Sequence, residues 1–185
     1  MNEASSRIRS PILETLRLRL RIHSLADVDP RSAITADATT MQFVGGPQDR
    51  TENFNRILRY AGHWALLGRG LLLVEDRASG QMVGEAGLGR FERGLGRDFD
   101  DAPEAGWLFA AWAAGQGFAT EAMHAAIDWH EQTFGPTRMV CLIDPANGAS
   151  VRVAQKLLFT PFRQATFKGH DVILHERLPT PPQRG

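Results

Sequence analysis

The segment Ala114-Gly115-Gln116-Gly117-Phe118-Ala119-Thr120-Glu121 joins the end of an apolar run to the start of an amphipathic one. Two glycines allow positive φ and leave no Cβ to keep a ligand away from the backbone. The orphan N–H groups of the following helix then converge on one point, where the helix dipole adds positive potential. This is an anion site, suited to a pyrophosphate. Two other phosphate-binding patterns fail. A dinucleotide fingerprint needs a third glycine where this chain has Thr120, and it opens a first β-α-β unit, whereas this turn lies past mid-chain. A nucleotide P-loop needs Gly-Lys-Ser/Thr, which is absent.

The elements around the turn follow from periodicity. Glu104–Ala110 reads as the strand before it. A helix over 119–134 follows, with Ala119, Ala122, Met123, Ala126, Ile127, His130 and Phe134 on its apolar face and Gly135-Pro136 as its stop. Upstream, Leu16–Ile22 alternates leucine with arginine. That places Leu16, Leu18 and Leu20 on one face and Arg17, Arg19 and Arg21 on the other, a solvated strand face rather than a phosphate site. Ser24 and Asp27 form a capping box before a short helix containing Pro30, and Gly45-Gly46-Pro47 turns the chain. Thr51 is expected to cap a second helix whose buried stripe is Phe54, Ile57, Leu58, Ala61 and Ala65. Leu71–Glu75 and Gln81–Leu88 form a hairpin, and residues 89–103, with Asp98, Asp100 and Asp101, form a surface loop. Downstream lie a strand over 138–143, a helix over 147–158, and strands over 162–167 and 171–177. The order β-α-α-β-β-β-α-β-α-β-β predicts an α/β (α+β) fold, a mixed sheet of about seven strands with helices on both faces and parallel pairing confined to the β-α-β crossovers.

Composition bounds the function. With 43% hydrophobic and 23% charged residues in 185, the chain is globular rather than disordered, and it is expected to hold one domain, 11–178, between tails at 1–10 and 179–185. Lys plus Arg equals Asp plus Glu at 21 each, which argues against nucleic-acid or anionic-membrane partners. No run approaches the ~20 apolar residues of a membrane span. Residues 1–10 lack the apolar stretch of a secretory signal, so a cytoplasmic protein is expected. Cys141 is the only cysteine, which removes an internal disulfide or a multi-Cys zinc site; it reads as a core residue of an apolar strand. His124 and Asp128 share a helical face without a third ligand, and His130-Glu131 lacks the second His of a metalloprotease helix, so no metal is expected.

Glu104-Ala-Gly-Trp-Leu-Phe, followed by Trp112-Ala-Ala-Gly-Gln-Gly-Phe-Ala-Thr-Glu-Ala, resembles the acetyl-CoA signature of the GNAT acetyltransferases. Asp144-Pro-Ala-Asn147-Gly-Ala-Ser150-Val-Arg-Val-Ala-Gln-Lys156-Leu-Leu-Phe159 resembles a second signature, and Glu14-Thr-Leu-Arg-Leu-Arg-Leu-Arg the first strand, of its Rim-type branch. That branch acetylates N-termini of ribosomal proteins and has many relatives of unknown substrate. The resemblance covers residues 14–178. It implies a GNAT fold in which strands 104–110 and 138–143 start paired and then splay, admitting the pantetheine arm. The arm would pair with backbone groups at Leu108 and Ala110, with Phe109 between them. The pyrophosphate would rest on the amides of Gly115, Gln116, Gly117, Phe118, Ala119 and Thr120. Asn147 would bond the pantetheine, and Ser150 would lie near the thioester sulfur.

Two positions depart from the family pattern. Ala114 stands where Gln or Arg is usual, which weakens the pyrophosphate site. Leu158 stands where Gly is usual, at a cost of about 1 kcal/mol or a changed turn.

The implied activity is acetyl transfer from acetyl-CoA to a primary amine, either a protein N-terminus or a small molecule. The alternative is an acyl-CoA-binding module without turnover. Glu104 is the expected base, Glu85 its rival, and a backbone N–H of strand 104–110 the oxyanion donor. The family's usual tyrosine acid is replaced by Ala154, so Ser150 is expected to protonate the thiolate. Trp107 is expected to border the acceptor. Trp64, Trp112 and Trp129 read as packing. Whether two chains pair is left open.

Overall fold

The structure is a computed structural model that describes residues 12–179; apart from Pro179, the expected tails lie outside the described residues. Its elements are β1 (Leu13–Glu14), β2 (Leu18–Arg21), α1 (Val28–Thr35), α2 (Ala38–Met41), α3 (Arg50–Leu67), β3 (Leu71–Asp76), β4 (Met82–Gly89), α4 (Arg97–Asp100), β5 (Glu104–Phe109), α5 (Phe118–Phe134), β6 (Met139–Ile143), α6 (Gly148–Lys156), β7 (Thr160–Phe167) and β8 (His170–Arg177). The eight strands form one sheet in the order β1-β2-β3-β4-β5-β6-β8-β7. Every neighbouring pair is antiparallel except β5 and β6. This is the expected mixed sheet, with β1 as the strand beyond the expected seven.

Strand alternation sends Leu18, Leu20, Leu72, Val74, Ala86, Leu88 and Ala105 into one core with Ala122, Met123, Ala126 and Ile127 of α5. The face of α5 is nearly the one expected; Phe118 joins it and Phe134 lies largely outside. Cys141 is buried in this core, and burial pushes its thiol pKa up.

Three local expectations need correction. First, the leucine–arginine alternation breaks at its start. Thr15 N–H and Oγ1 both reach Leu18 O, turning the chain between β1 and β2, so Leu16 projects outward at 90% exposure. The arginine face is not simply solvated, since Arg21 pairs with Asp27 and Glu75, and Arg17 with Glu121. Second, α3 is capped by Asp49, with Glu52 completing a capping box, and it buries Asn53, Ile57, Tyr60 and Trp64. Phe54 and Leu58 face outward because Asn53 and Tyr60 find polar partners inside. Third, the loop over 89–103 contains α4, which buries Phe99. Asp100 accepts there from the amides of Arg93, Leu95 and Gly96.

Leu158, just past α6, takes φ +64° and is 72% exposed. It therefore carries left-handed strain and little burial to offset it. Leu158→Gly should raise stability by about 0.5–1 kcal/mol, after allowing for the extra unfolded-state freedom of glycine. Denaturant unfolding of the two forms measures this.

Candidate active site

A fork in the sheet defines the site. β5 pairs with β4 along its whole length, from Glu104↔Gly89 to Phe109↔Gly84. It pairs with β6 only at Glu104↔Val140, supported by Val140 N–H to Pro103 O at 2.9 Å. Beyond that rung β6 turns to β8, which holds it from Met139 to Ile143. The expected splay is present.

The register corrects which backbone groups face the gap. Ala110 N–H donates to Val83 O at 3.0 Å, so Ala110 and Leu108 direct their polar groups to β4. The alternate residues, Trp107 and Phe109, present theirs to the fork. Of Leu108, Phe109 and Ala110, only Phe109 turns its backbone polar groups toward the fork.

At the mouth of the fork, Gly115 and Gly117 take φ +77° and +81°, and Gly117 is the left-handed N-cap of α5. No side chain caps this helix, so its first amides stay available. The space where a Gly115 Cβ would stand is empty. These are the features the Gly115–Thr120 expectation requires.

α6 supplies the opposite wall. Asn147 caps it, with Oδ1 accepting from Ser150 N–H at 3.0 Å. Trp107 reaches across, and its indole N–H donates to Ser150 Oγ at 3.2 Å. Trp107, expected beside the acceptor, is thus tied to Ser150. Because the hydroxyl oxygen accepts from the indole, its own hydrogen is left to donate.

Neither candidate base is a free carboxylate. Glu104 stands at the closed end of the fork, and Arg93 clamps both its oxygens, with Nη2 to Oε1 at 2.7 Å and Nε to Oε2 at 2.9 Å. Burial pushes its carboxyl pKa up while Arg93 pulls the other way. Arg93 itself lies against the rings of Phe91 and Phe167. Glu85 is buried on the opposite face of the sheet from α5. There it accepts from Arg31 Nε at 2.6 Å and Tyr60 Oη at 3.3 Å, and His23 Nε2 lies 3.0 Å away. Burial would raise its pKa, but His23 and Arg31 outweigh that and hold it at about 2. Glu85 is therefore a buried anion held by Arg31 and His23, an arrangement that argues against the base or substrate role expected of it.

Sequence reading passed over Arg93, which no motif marks, and missed the pairing of Arg17. The leucine–arginine alternation flagged Arg17 but assigned it to solvent.

A glycine turn with uncapped helix amides at the mouth of a strand fork is the geometry of the site. Comparison with known proteins gives the class a name. The Acetyltransferase (GNAT) domain matches residues 17–160, and the chain belongs to that family. A protein from Bordetella pertussis described as a GNAT-family acetyltransferase is 33% identical, with a TM-score of 0.81 over 90% of this chain and 99% of that one. YkkB of Bacillus subtilis (strain 168), an uncharacterised protein, is 28% identical over 146 residues, which are 75% of this chain and 80% of YkkB. RimL, a ribosomal L7/L12 α-N-protein acetyltransferase solved with coenzyme A, shares the fold at 18% identity, with a TM-score of 0.75 over 91% of this chain and 98% of that one. The chain is thus an acetyltransferase of the GNAT class, and its expected fold and family both hold.

The Glu85 network makes a prediction about pH. The folded carboxyl lies at about 2, below its ordinary 4.5, so its stabilisation is complete above about 4.5 and is lost as pH falls toward 2. Glu85→Gln should cost about 3 kcal/mol at neutral pH, because Arg31 is left buried without its counter-charge. The gap from wild type should narrow as pH drops through that window. Denaturant unfolding at several pH values checks the sign.

Proposed function

We propose that this acetyltransferase transfers the acetyl group of acetyl-CoA to a weakly basic primary amine, either a protein N-terminal α-amine or a small-molecule amine. The observation that carries the reading is the fork between β5 and β6, with the uncapped amides of α5 at its mouth. In this reading the amides of Gly115 to Thr120 take the pyrophosphate, and the backbone groups of Trp107 and Phe109 pair with the pantetheine. RimL, similar in fold, was solved with coenzyme A, which supports acetyl-CoA as the donor.

One feature of the site supports a weakly basic acceptor. Both carboxylates that could serve as base are ion-paired with arginines. An α-amine, with a pKa near ~8, is partly neutral at physiological pH, whereas a lysine near ~10.4 needs a base to lend help. In this reading Glu104 holds Arg93, and solvent deprotonates the amine. A backbone N–H of β5 meets the oxyanion as the amine adds to the thioester carbonyl. The added nitrogen gives its extra proton to solvent, collapse of the tetrahedral intermediate breaks the C–S bond, the Ser150 hydroxyl protonates the departing thiolate, and solvent restores the serine proton. A cytoplasmic setting belongs to the same reading; no described helix is long and apolar enough to cross a membrane.

The test is CoA-thiol release with a panel of amines. Peptides with a free α-amine and small amines of low pKa should turn over. N-terminally blocked peptides bearing only lysine should be slower by at least about tenfold at pH 7, with the gap closing as pH rises. CoA binding without release from any amine would leave only a binding module.

Two variants test the residue roles. Ser150→Ala should lower kcat by about 10²-fold with little change in the KM for acetyl-CoA. Gly117→Leu should raise the Kd for acetyl-CoA at least about tenfold by closing the backbone approach.

A further inference from the structure

Arg17 lies far from the glycine turn in sequence and against it in space. Its Nη1 donates to Gln116 O at 2.9 Å, its Nε to Glu121 Oε2 at 2.8 Å, and its guanidinium stacks on the Phe118 ring at 4.6 Å. Its Nη2 lies 3.5 Å from where a Cβ on Gly117 would stand. One side chain therefore touches the turn before, at and after its left-handed residue.

The peptide between Gln116 and Gly117 gives these contacts their meaning. In a trans peptide the C=O and N–H point in opposite directions. With Gln116 O held by Arg17, the Gly117 N–H is turned away from Arg17, toward the open side of the turn. Glu121 adds a second effect. A carboxylate in the first turn of a phosphate-binding helix would repel the ligand. Here it is saturated by Thr15 Oγ1 at 2.6 Å, Arg17 N–H at 3.0 Å and the Arg17 guanidinium. These bonds neutralise it and fasten the turn between β1 and β2 to α5. Burial tends to raise the Glu121 carboxyl pKa, but Thr15 and Arg17 together lower it. The loop carries Ala114 and no cation of its own from Ala114 to Glu121.

We infer that Arg17 is a positioning residue for the pyrophosphate of acetyl-CoA: it fixes the Gln116–Gly117 peptide with its amide toward the ligand and cancels the charge of Glu121. The inference rests on the placement of the pyrophosphate under Proposed function.

The test compares acetyl-CoA with S-acetylpantetheine, a donor without pyrophosphate. Arg17→Ala should raise the Kd and KM for acetyl-CoA about tenfold, leave kcat and the amine KM within about twofold, and leave turnover of S-acetylpantetheine unchanged. Arg17→Lys keeps a charge but has no fork to hold Gln116 O and Glu121 together, so it should lose affinity about three- to tenfold. It carries the test alone if the alanine variant does not fold.

Acetyl-CoA affinity within about twofold of wild type in a folded variant would overturn the inference, and so would an equal loss on both donors. Gly117→Leu, measured alongside, separates the failures. If it weakens acetyl-CoA while the Arg17 variants do not, only the role of Arg17 falls; if neither weakens it, the pyrophosphate placement falls as well.

Discussion

A backbone that leaves its sheet must find new partners for its amides and carbonyls. β5 meets that constraint on one edge only. Six residues pair with β4, whereas a single rung, Glu104↔Val140, joins it to β6. Beyond the rung, Trp107 and Phe109 face a gap. The rest of the site is arranged around that gap, with β8 drawing β6 away, α6 placing Ser150 on the far wall and the glycine turn closing the mouth. In the proposed reading, an extended ligand carrying amide groups would complete the sheet that the chain leaves open, as an added strand does in peptide recognition.

The elements that bury apolar side chains were legible in the sequence. The face of α5, the β3–β4 hairpin and the strand–turn–helix around Gly115 and Gly117 follow from periodicity and glycine placement, and the family resemblance supplied the splay. What periodicity misses is polarity turned inward. On α3, Asn53 and Tyr60 are buried while Phe54 and Leu58 are not. The reason lies on other elements: Arg31 and Glu85 are buried there and need hydrogen-bonding partners. A pattern that counts only apolar positions rotates the helix to the wrong face. Ion pairing is equally invisible to periodicity, which left Arg17 without a partner and passed over Arg93. Whether a charged residue is ion-paired depends on a partner elsewhere in the chain, Glu121 for Arg17 and Glu104 for Arg93.

The backbone register at the fork was also beyond sequence reading. Which of two neighbouring residues offers its N–H to a ligand depends on hydrogen bonds with the other strand. The bond from Ala110 to Val83 decides in favour of Trp107 and Phe109. A one-residue slip in strand pairing reverses the assignment. Residue type carries no such information.

The sheet order places β1 and β7 at the two outer edges. An uncovered edge is a template on which another chain can grow. β1 is only two residues long, too short to template a ladder. β7 carries Pro161, which has no N–H to offer, and its register shifts between Pro161 and Arg163. Among the described residues the fold thus leaves a strand border open inside the sheet, at the fork, and blunts the two borders at its outer edges, a division that guards against runaway self-association.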